Sequence, residues 1–295
     1  MSLPEGPGPR TVLDFLRRAS DYLVSKGIPT PRLDAEVLLA HLLGARRLDL
    51  YLEHERPLSP GEVEAYRDLV KRRGSRVPVA YLTGEKEFFS LKFRVSPSVL
   101  IPRPETEVLV EEALAIARER EAGGEGILAA DVGTGSGCIA VSLAKSVPSA
   151  RVVATDRSGA ALALARENAA MHGVSSRVGF LLADGLEPFR DASFDLVLSN
   201  PPYVDPSGKE SLPPEVRDHE PAEALFAPPG DPLGVSRTIA REALRCLAPA
   251  GAFLLEIGAG TREAVEAMLR ETGFGRIEFR RDLAGLDRLA RSHAV

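Results

Sequence analysis

From residue 126 onward, short apolar runs alternate with helix-like segments, and few folds accept that order. GILAADVG, RVVATD, VGFLLAD, FDLVLSN and GAFLLEIG have continuous apolar centres without helical period, and read as buried strands. ALALARENAAMHG and SRTIAREALRCLA supply helices between them. Such alternation means a parallel sheet covered on both faces, so the fold class is α/β. RIEFRR and RLARSH are short enough to close the sheet as a terminal hairpin.

Residues 1–75 follow another pattern. Thr11 can cap a helix in which Val12, Phe15, Leu16, Ala19 and Leu23 form one apolar stripe before Gly27 stops it. RLDAEVLLAHLLG follows and ends at Gly44. Ser59 and Glu62 have capping-box spacing, Pro60 suits the first helical position, and Val63, Tyr66 and Val70 share a face up to Gly74. These segments predict a small helical bundle without catalytic groups, suited to binding or support. In 76–100, Phe89, Leu91, Phe93 and Val95 alternate with polar residues as in a half-buried strand, and YLTGEKEF before it supplies a turn, so a β-hairpin linker is expected. Residues 101–295 form the third territory. It opens on IPRPET, which reads equally as a helix start or as a rigid lip holding Arg103 and Thr106 beside a ligand.

Composition narrows the function. With 44% hydrophobic and 27% charged residues and no apolar run able to cross a bilayer, a membrane span is not expected. MSLPEGPGPR does not have a signal-peptide pattern. Cys138 and Cys246 fit a reduced, cytoplasmic setting as small buried residues, and none of the five histidines has metal-ligand spacing, so no metal is expected. A net charge of −5 argues against a broad grip on nucleic acid; Lys71, Arg72, Arg73 and Arg76 read as a solvated helix end rather than a binding patch.

The chemistry gathers where strands end. DVGTGSG (131–137) joins the first strand of the sheet to a helix, and Gly133, Gly135 and Gly137, with Thr134 and Ser136 between them, allow a tight turn open to a ligand. The second strand ends in Asp156, suited to two ribose hydroxyls, and the third in Asp184 and Gly185, suited to border an adenine, with Gly185 offering backbone only. Helix capping is the plainer reading of both acids. The fourth strand runs into SNPPYV, where two prolines forbid extension and Asn200, Pro201, Pro202 and Tyr203 form a stiff turn. Asn200 and Tyr203 also have plain readings, as turn former and space filler. A proline-rich stretch of ~30 residues follows, a length usually functional.

DVGTGSG, Asp156 and NPPY in this order resemble a class I S-adenosylmethionine-dependent methyltransferase, a Rossmann-like sheet. NPPY resembles the motif of enzymes that methylate a planar nitrogen. With YLTG, IPRPET, VRDHEPAEAL, LLEIG and RRDLAGLDR, nearly the whole chain is similar to the release factor glutamine methyltransferase family, PrmC or HemK. The resemblance implies methylation of glutamine N5 in the GGQ motif of class I peptide chain release factors. The bundle, lacking catalytic groups, is expected to bind the protein substrate; the acidic balance and the hairpin-plus-bundle N-terminus speak against a nucleic-acid substrate, and a monomer is expected. Rival readings are a methyltransferase acting on adenine N6 or guanine N2, an NAD-binding oxidoreductase, and a binding module without catalysis. The last two leave the glycine spacing or NPPY unexplained.

Overall fold

The computed structural model describes residues 11 to 294. In chain order the helices of the first part are α1 (Val12–Ser25), α2 (Pro31–Leu43), α3 (Arg47–Leu52), α4 (Pro60–Gly74) and α5 (Val79–Thr83). There follow β1 (Glu85–Phe88), β2 (Leu91–Arg94), α6 (Glu107–Ala122), β3 (Ile127–Val132), α7 (Cys138–Ser146), β4 (Ala150–Asp156), α8 (Gly159–Met171), β5 (Val178–Leu182) and β6 (Phe194–Ser199). The rest is α9 (Pro214–His219), α10 (Ala222–Leu225), α11 (Gly234–Cys246), β7 (Leu247–Glu256), α12 (Arg262–Thr272), β8 (Phe274–Arg281) and β9 (Asp287–Ala294). Two compact units result: the chain up to Gly84 together with Pro213–His219, and the remainder.

In the helical unit the caps act as their spacing demands. Thr11 and Asp14 exchange backbone hydrogen bonds at 3.4 and 3.2 Å, and Ser59 and Glu62 do so at 3.3 and 2.8 Å, which satisfies helix-end donors. Gly44 closes α2 in the left-handed conformation. Phe15, Leu23, Leu38, Leu39 and Tyr66 form the centre of its core, and the Tyr66 hydroxyl donates to the Ala35 carbonyl at 2.9 Å. The basic run differs from its expected form. Arg73 is only 5% exposed; it pairs with Asp34 at 2.7 Å and with Glu215 of α9 at 3.0 Å, and Arg76 reaches Glu215 at 3.2 Å. A helical period carries Arg73 inward beside Val70, where a partner distant in sequence awaits it. Charge spacing alone gives no sign of that.

The larger unit is a seven-stranded sheet in the order β5-β4-β3-β6-β7-β9-β8. The first five strands are parallel, and β9 and β8 complete the sheet as the expected antiparallel terminal hairpin. Successive residues face opposite sides: Leu196, Leu198, Ala252 and Leu254 pack with α6 and α7, whereas Val197, Phe253 and Leu255 pack with α11 and α12. Burial on both faces explains the unbroken apolar runs of β3, β6 and β7; β5 departs from the expected buried strand, because it lies at the sheet edge with only Val178 buried and Leu182 62% exposed. The order runs from β3 to β4 and β5 on one side and to β6 and β7 on the other. A crevice opens at that switch, beyond the carboxyl ends of the strands.

The β1–β2 hairpin belongs to this unit, and its turn is not where YLTGEKEF suggested. EKEF is itself a strand, YLT is the short helix α5 closed by Gly84, and the chain reverses at Phe89–Ser90 with φ of 50° and 59°. Both turn residues are left-handed, as a tight hairpin turn requires, without the glycine or asparagine that would have announced it.

Candidate active site

The switch crevice is a cavity of about 580 Å³. The loop after β3 forms its floor. Gly133, Gly135 and Gly137 all have positive φ (72°, 54° and 80°), and their roles separate. A Cβ on Gly133 or Gly135 would meet nothing within 4 Å, because both border the open cradle; one on Gly137 would lie 3.0 Å from the Ala165 Cβ of α8. The loop is held from below. Gly133 and Thr134 N–H donate to the Thr155 carbonyl at 2.9 Å each, and the Thr134 hydroxyl donates to Asp131 Oδ2 at 2.6 Å. The buried Asp131 carboxyl is pushed up to about 6 by desolvation, against its bonds from Thr134 and the Ala140 N–H.

Asp156 stands at the end of β4, one strand along. Its two oxygens accept the Gly135 N–H at 2.9 Å and the Ser158 N–H at 2.8 Å, and the helix cap of α8 is Ser158 instead. A carboxylate has about four acceptor positions, so each oxygen keeps one lone pair for a ligand in the cavity that Asp156 lines. Asp184 and Gly185 follow β5 on the same rim. Gly185 has φ +81°, and a Cβ there would fall 2.1 Å from Glu242 Oε2. Glu242 reaches in from α11 and accepts the Leu186 N–H at 2.6 Å, so it fills the space a side chain at 185 would need.

On the other side of the switch, β6 delivers Asn200, Pro201 and Pro202 to the cavity wall. The Asn200 Nδ2 donates to the Thr106 hydroxyl at 3.2 Å, which commits the amino branch of the amide and leaves the oxygen as the group to receive a donor. Thr106 ends the single 3-10 turn Pro104–Thr106 that leads into α6. Arg103 before it pairs with the buried Glu220 at 2.5 Å, and Glu220 also accepts the Ile101 N–H at 3.2 Å. The IPRP segment is thereby pinned to the start of the proline-rich return, which lines the cavity through Pro221, Phe226 and Pro228. Tyr203 packs against Gly258, on the β7 side of the turn, and burial pushes its hydroxyl up to about 12.

Similarity to known proteins agrees with this geometry. A family model described as PrmC N-terminal domain matches residues 14–84, and one described as Methyltransferase small domain matches residues 111–212. The release factor glutamine methyltransferase of Geobacter sulfurreducens is 44% identical over 280 residues, covering 95% of this chain and 94% of its own. The chain belongs to the release factor glutamine methyltransferase family. Another member, from Chlorobaculum tepidum, is 43% identical over 285 residues, covering 94% of this chain and 95% of its own. For the fold, the hMettl16 catalytic domain, crystallised with the MAT2A 3'UTR hairpin 6, aligns with a TM-score of 0.55 at 16% identity, over 74% of this chain and 80% of that one.

In this member of the release factor glutamine methyltransferase family, Arg103, Thr106, Gly133, Thr134, Gly135, Ser136, Asp156, Asp184, Gly185, Asn200, Pro201 and Pro202 all line the one cavity. Gly137 lies behind the loop and Tyr203 beside the turn, where neither borders the cavity. Sequence reasoning missed Glu242, which lies mid-helix in an ordinary surface pattern. It also missed Glu220, although that acid lies within the proline-rich stretch flagged for function. Among the described residues no group of three His, Cys, Asp or Glu side chains could hold a metal ion, and no helix is long and apolar enough to cross a membrane.

Proposed function

We propose that this chain transfers a methyl group from S-adenosylmethionine to the side-chain amide nitrogen, N5, of the glutamine in the GGQ motif of class I peptide chain release factors. The observation that carries the reading is the Asn200 amide. Its nitrogen donates to Thr106, which leaves its oxygen to accept from a planar –NH₂, and the Pro201 carbonyl of the same turn would be the second acceptor. The residues also fit the cofactor: the open cradle at Gly133 and Gly135 admits close backbone approach, and the spare lone pairs of Asp156 suit the two ribose hydroxyls. When bound, S-adenosylmethionine supplies an already activated methyl group.

An amide nitrogen is a poor nucleophile because its lone pair is delocalised into the carbonyl. Two acceptors, Asn200 Oδ1 and the Pro201 carbonyl, would take its two N–H groups and fix the nitrogen. Positioning then supplies most of the rate enhancement, and no base is needed before transfer, because the proton leaves once methylation has acidified the nitrogen. Pro202 stiffens the turn, and Tyr203 supports it from the β7 side and excludes water there.

Binding of the protein substrate falls to the helical unit. It contains no catalytic group, and α3 exposes Leu48 and Leu52 at 62% and 71%, apolar area available to a partner protein. Transfer of tritium from labelled S-adenosylmethionine to a release factor tests the whole reading. The label should enter the wild-type release factor and spare a GGQ-to-GGA variant, RNA and DNA. Label in nucleic acid, with none in release factor, would replace this function by base methylation.

A further inference from the structure

Glu256 is a buried acid at the same sheet edge that the amide clamp leaves unused. It ends β7 at 3% exposure, and the pairing of Ser199 with Leu255 brings Asn200 and Glu256 off neighbouring strands side by side. Beside them is Thr106, 2% exposed, which accepts the Asn200 Nδ2–H at 3.2 Å and whose hydroxyl favours the ionised form of the Glu256 carboxyl. Glu256 Oε2 is buried and has no hydrogen-bond partner among the described residues. An acid so placed is costly to keep unless something uses it.

Hydrogen-bond polarity assigns the use. A threonine hydroxyl has one proton to give. An ionised Glu256 has none, so Thr106 must donate to it and can only accept from Asn200, which turns the amide nitrogen inward and the oxygen outward. A protonated Glu256 can donate to Thr106 instead, which frees the hydroxyl proton for Asn200, where only the amide oxygen can accept it. The amide would then present –NH₂ to the substrate nitrogen, donor against donor. We propose that Glu256, acting through Thr106, sets which face of the Asn200 amide meets the substrate, and that its ionised form holds the productive one.

Glu256 is thus a positioning residue, and this role rests on the reading of Asn200 as acceptor for a planar amide. The groups that face it are Glu105 and Arg103 from the segment before α6, Arg288 from β9, Tyr203 from the turn and Cys138 from α7. Desolvation pushes its carboxyl up to about 7, opposed first by the Thr106 hydrogen bond, with Glu105 raising it and Arg288 and Arg103 lowering it. The exchange of faces is therefore placed in the neutral range.

Two measurements test it. Single-turnover methylation of release factor between pH 5.5 and 8.5 should rise about tenfold per pH unit until about pH 7 and then level off, as for one required deprotonation. Glu256→Gln should make that profile flat, Thr106→Val should lower the rate and flatten it, and Thr106→Ser should restore both rate and slope. In the free enzyme, the Asn200 side-chain N–H signals, identified by their loss in Asn200→Asp, should titrate with the same midpoint and stand still in Glu256→Gln. An unchanged pH profile in Glu256→Gln, or Asn200 signals that do not move in the wild type, would overturn the proposal. If the wild type methylates no release factor at any pH, the substrate reading fails, and the Asn200 signals alone decide the relay.

Discussion

Two glycines of one loop, two residues apart, should fail in different ways when replaced by alanine. At Gly137, with φ +80°, a side chain costs about 1–2 kcal/mol of left-handed strain. Its Cβ would also press on the Ala165 Cβ at 3.0 Å and Cα at 3.3 Å, the second a backbone atom that α8 cannot swing aside. Overpacking of this kind adds about 1–3 kcal/mol, so Gly137→Ala should lose about 2–5 kcal/mol. Gly135, with φ +54°, carries the strain but meets no atom within 4 Å, so its alanine variant should lose only about 1–2 kcal/mol. Its new methyl group projects into the cradle, however, and should weaken S-adenosylmethionine binding by about tenfold or more, a loss of ~1.4 kcal/mol. Urea unfolding without cofactor measures the first quantity, and calorimetric titration of the folded variants measures the second. Equal destabilisation by the two variants, or cofactor binding by Gly135→Ala as tight as the parent's, would refute the division of labour.

Asn200→Ala should lower kcat by roughly 100- to 1,000-fold with a smaller effect on cofactor affinity, and Asn200→Asp, which keeps an oxygen acceptor, should retain more activity in single-turnover assays. Asp156→Ala removes two backbone bonds as well as the ribose acceptor, and should raise the cofactor Kd about tenfold or more by calorimetry. Arg73→Met leaves Asp34 and Glu215 without their shared cation, at a cost of about 3–5 kcal/mol in urea unfolding; neutralising Asp34 in the same chain should return part of it. Asp131 and Glu256 hold protons in the fold that the unfolded chain releases, because burial lifts them to about 6 and about 7. Stability should therefore fall as pH rises from about 4 to about 7, and urea midpoints measured across that range should fall less steeply in Glu256→Gln, where Asp131 alone contributes.

The sheet was legible because burial on both faces leaves a continuous apolar run, a signal that depends on no distant residue. GILAADVG, RVVATD and FDLVLSN all became strands within a residue or two of their apolar cores. Caps were legible for the same reason, since Thr11 with Asp14 and Ser59 with Glu62 are local chemistry. What stayed hidden depends on distance. Nothing near Arg73 mentions Glu215, and nothing near Gly185 mentions Glu242. The hairpin turn was hidden by its residues, because Phe89 and Ser90 adopt a conformation usually left to glycine. In the site, each strand-end residue was readable from its own motif. The Asn200–Thr106 bond, which orients the amide, joins residues 94 positions apart and appeared only once β6 and the IPRPET segment were folded together.

The return of Pro213–His219 to the helical unit has a consequence for synthesis on the ribosome. Helices α1 to α5 are complete once residue 84 has been made, but Glu215, the second partner of Arg73 and a partner of Arg76, comes about 130 residues later. At ~5–20 residues per second that delay is roughly 7–26 s. During it the nascent bundle carries two guanidinium groups awaiting their shared carboxylate, and must wait for most of the catalytic unit to be translated before its last segment arrives.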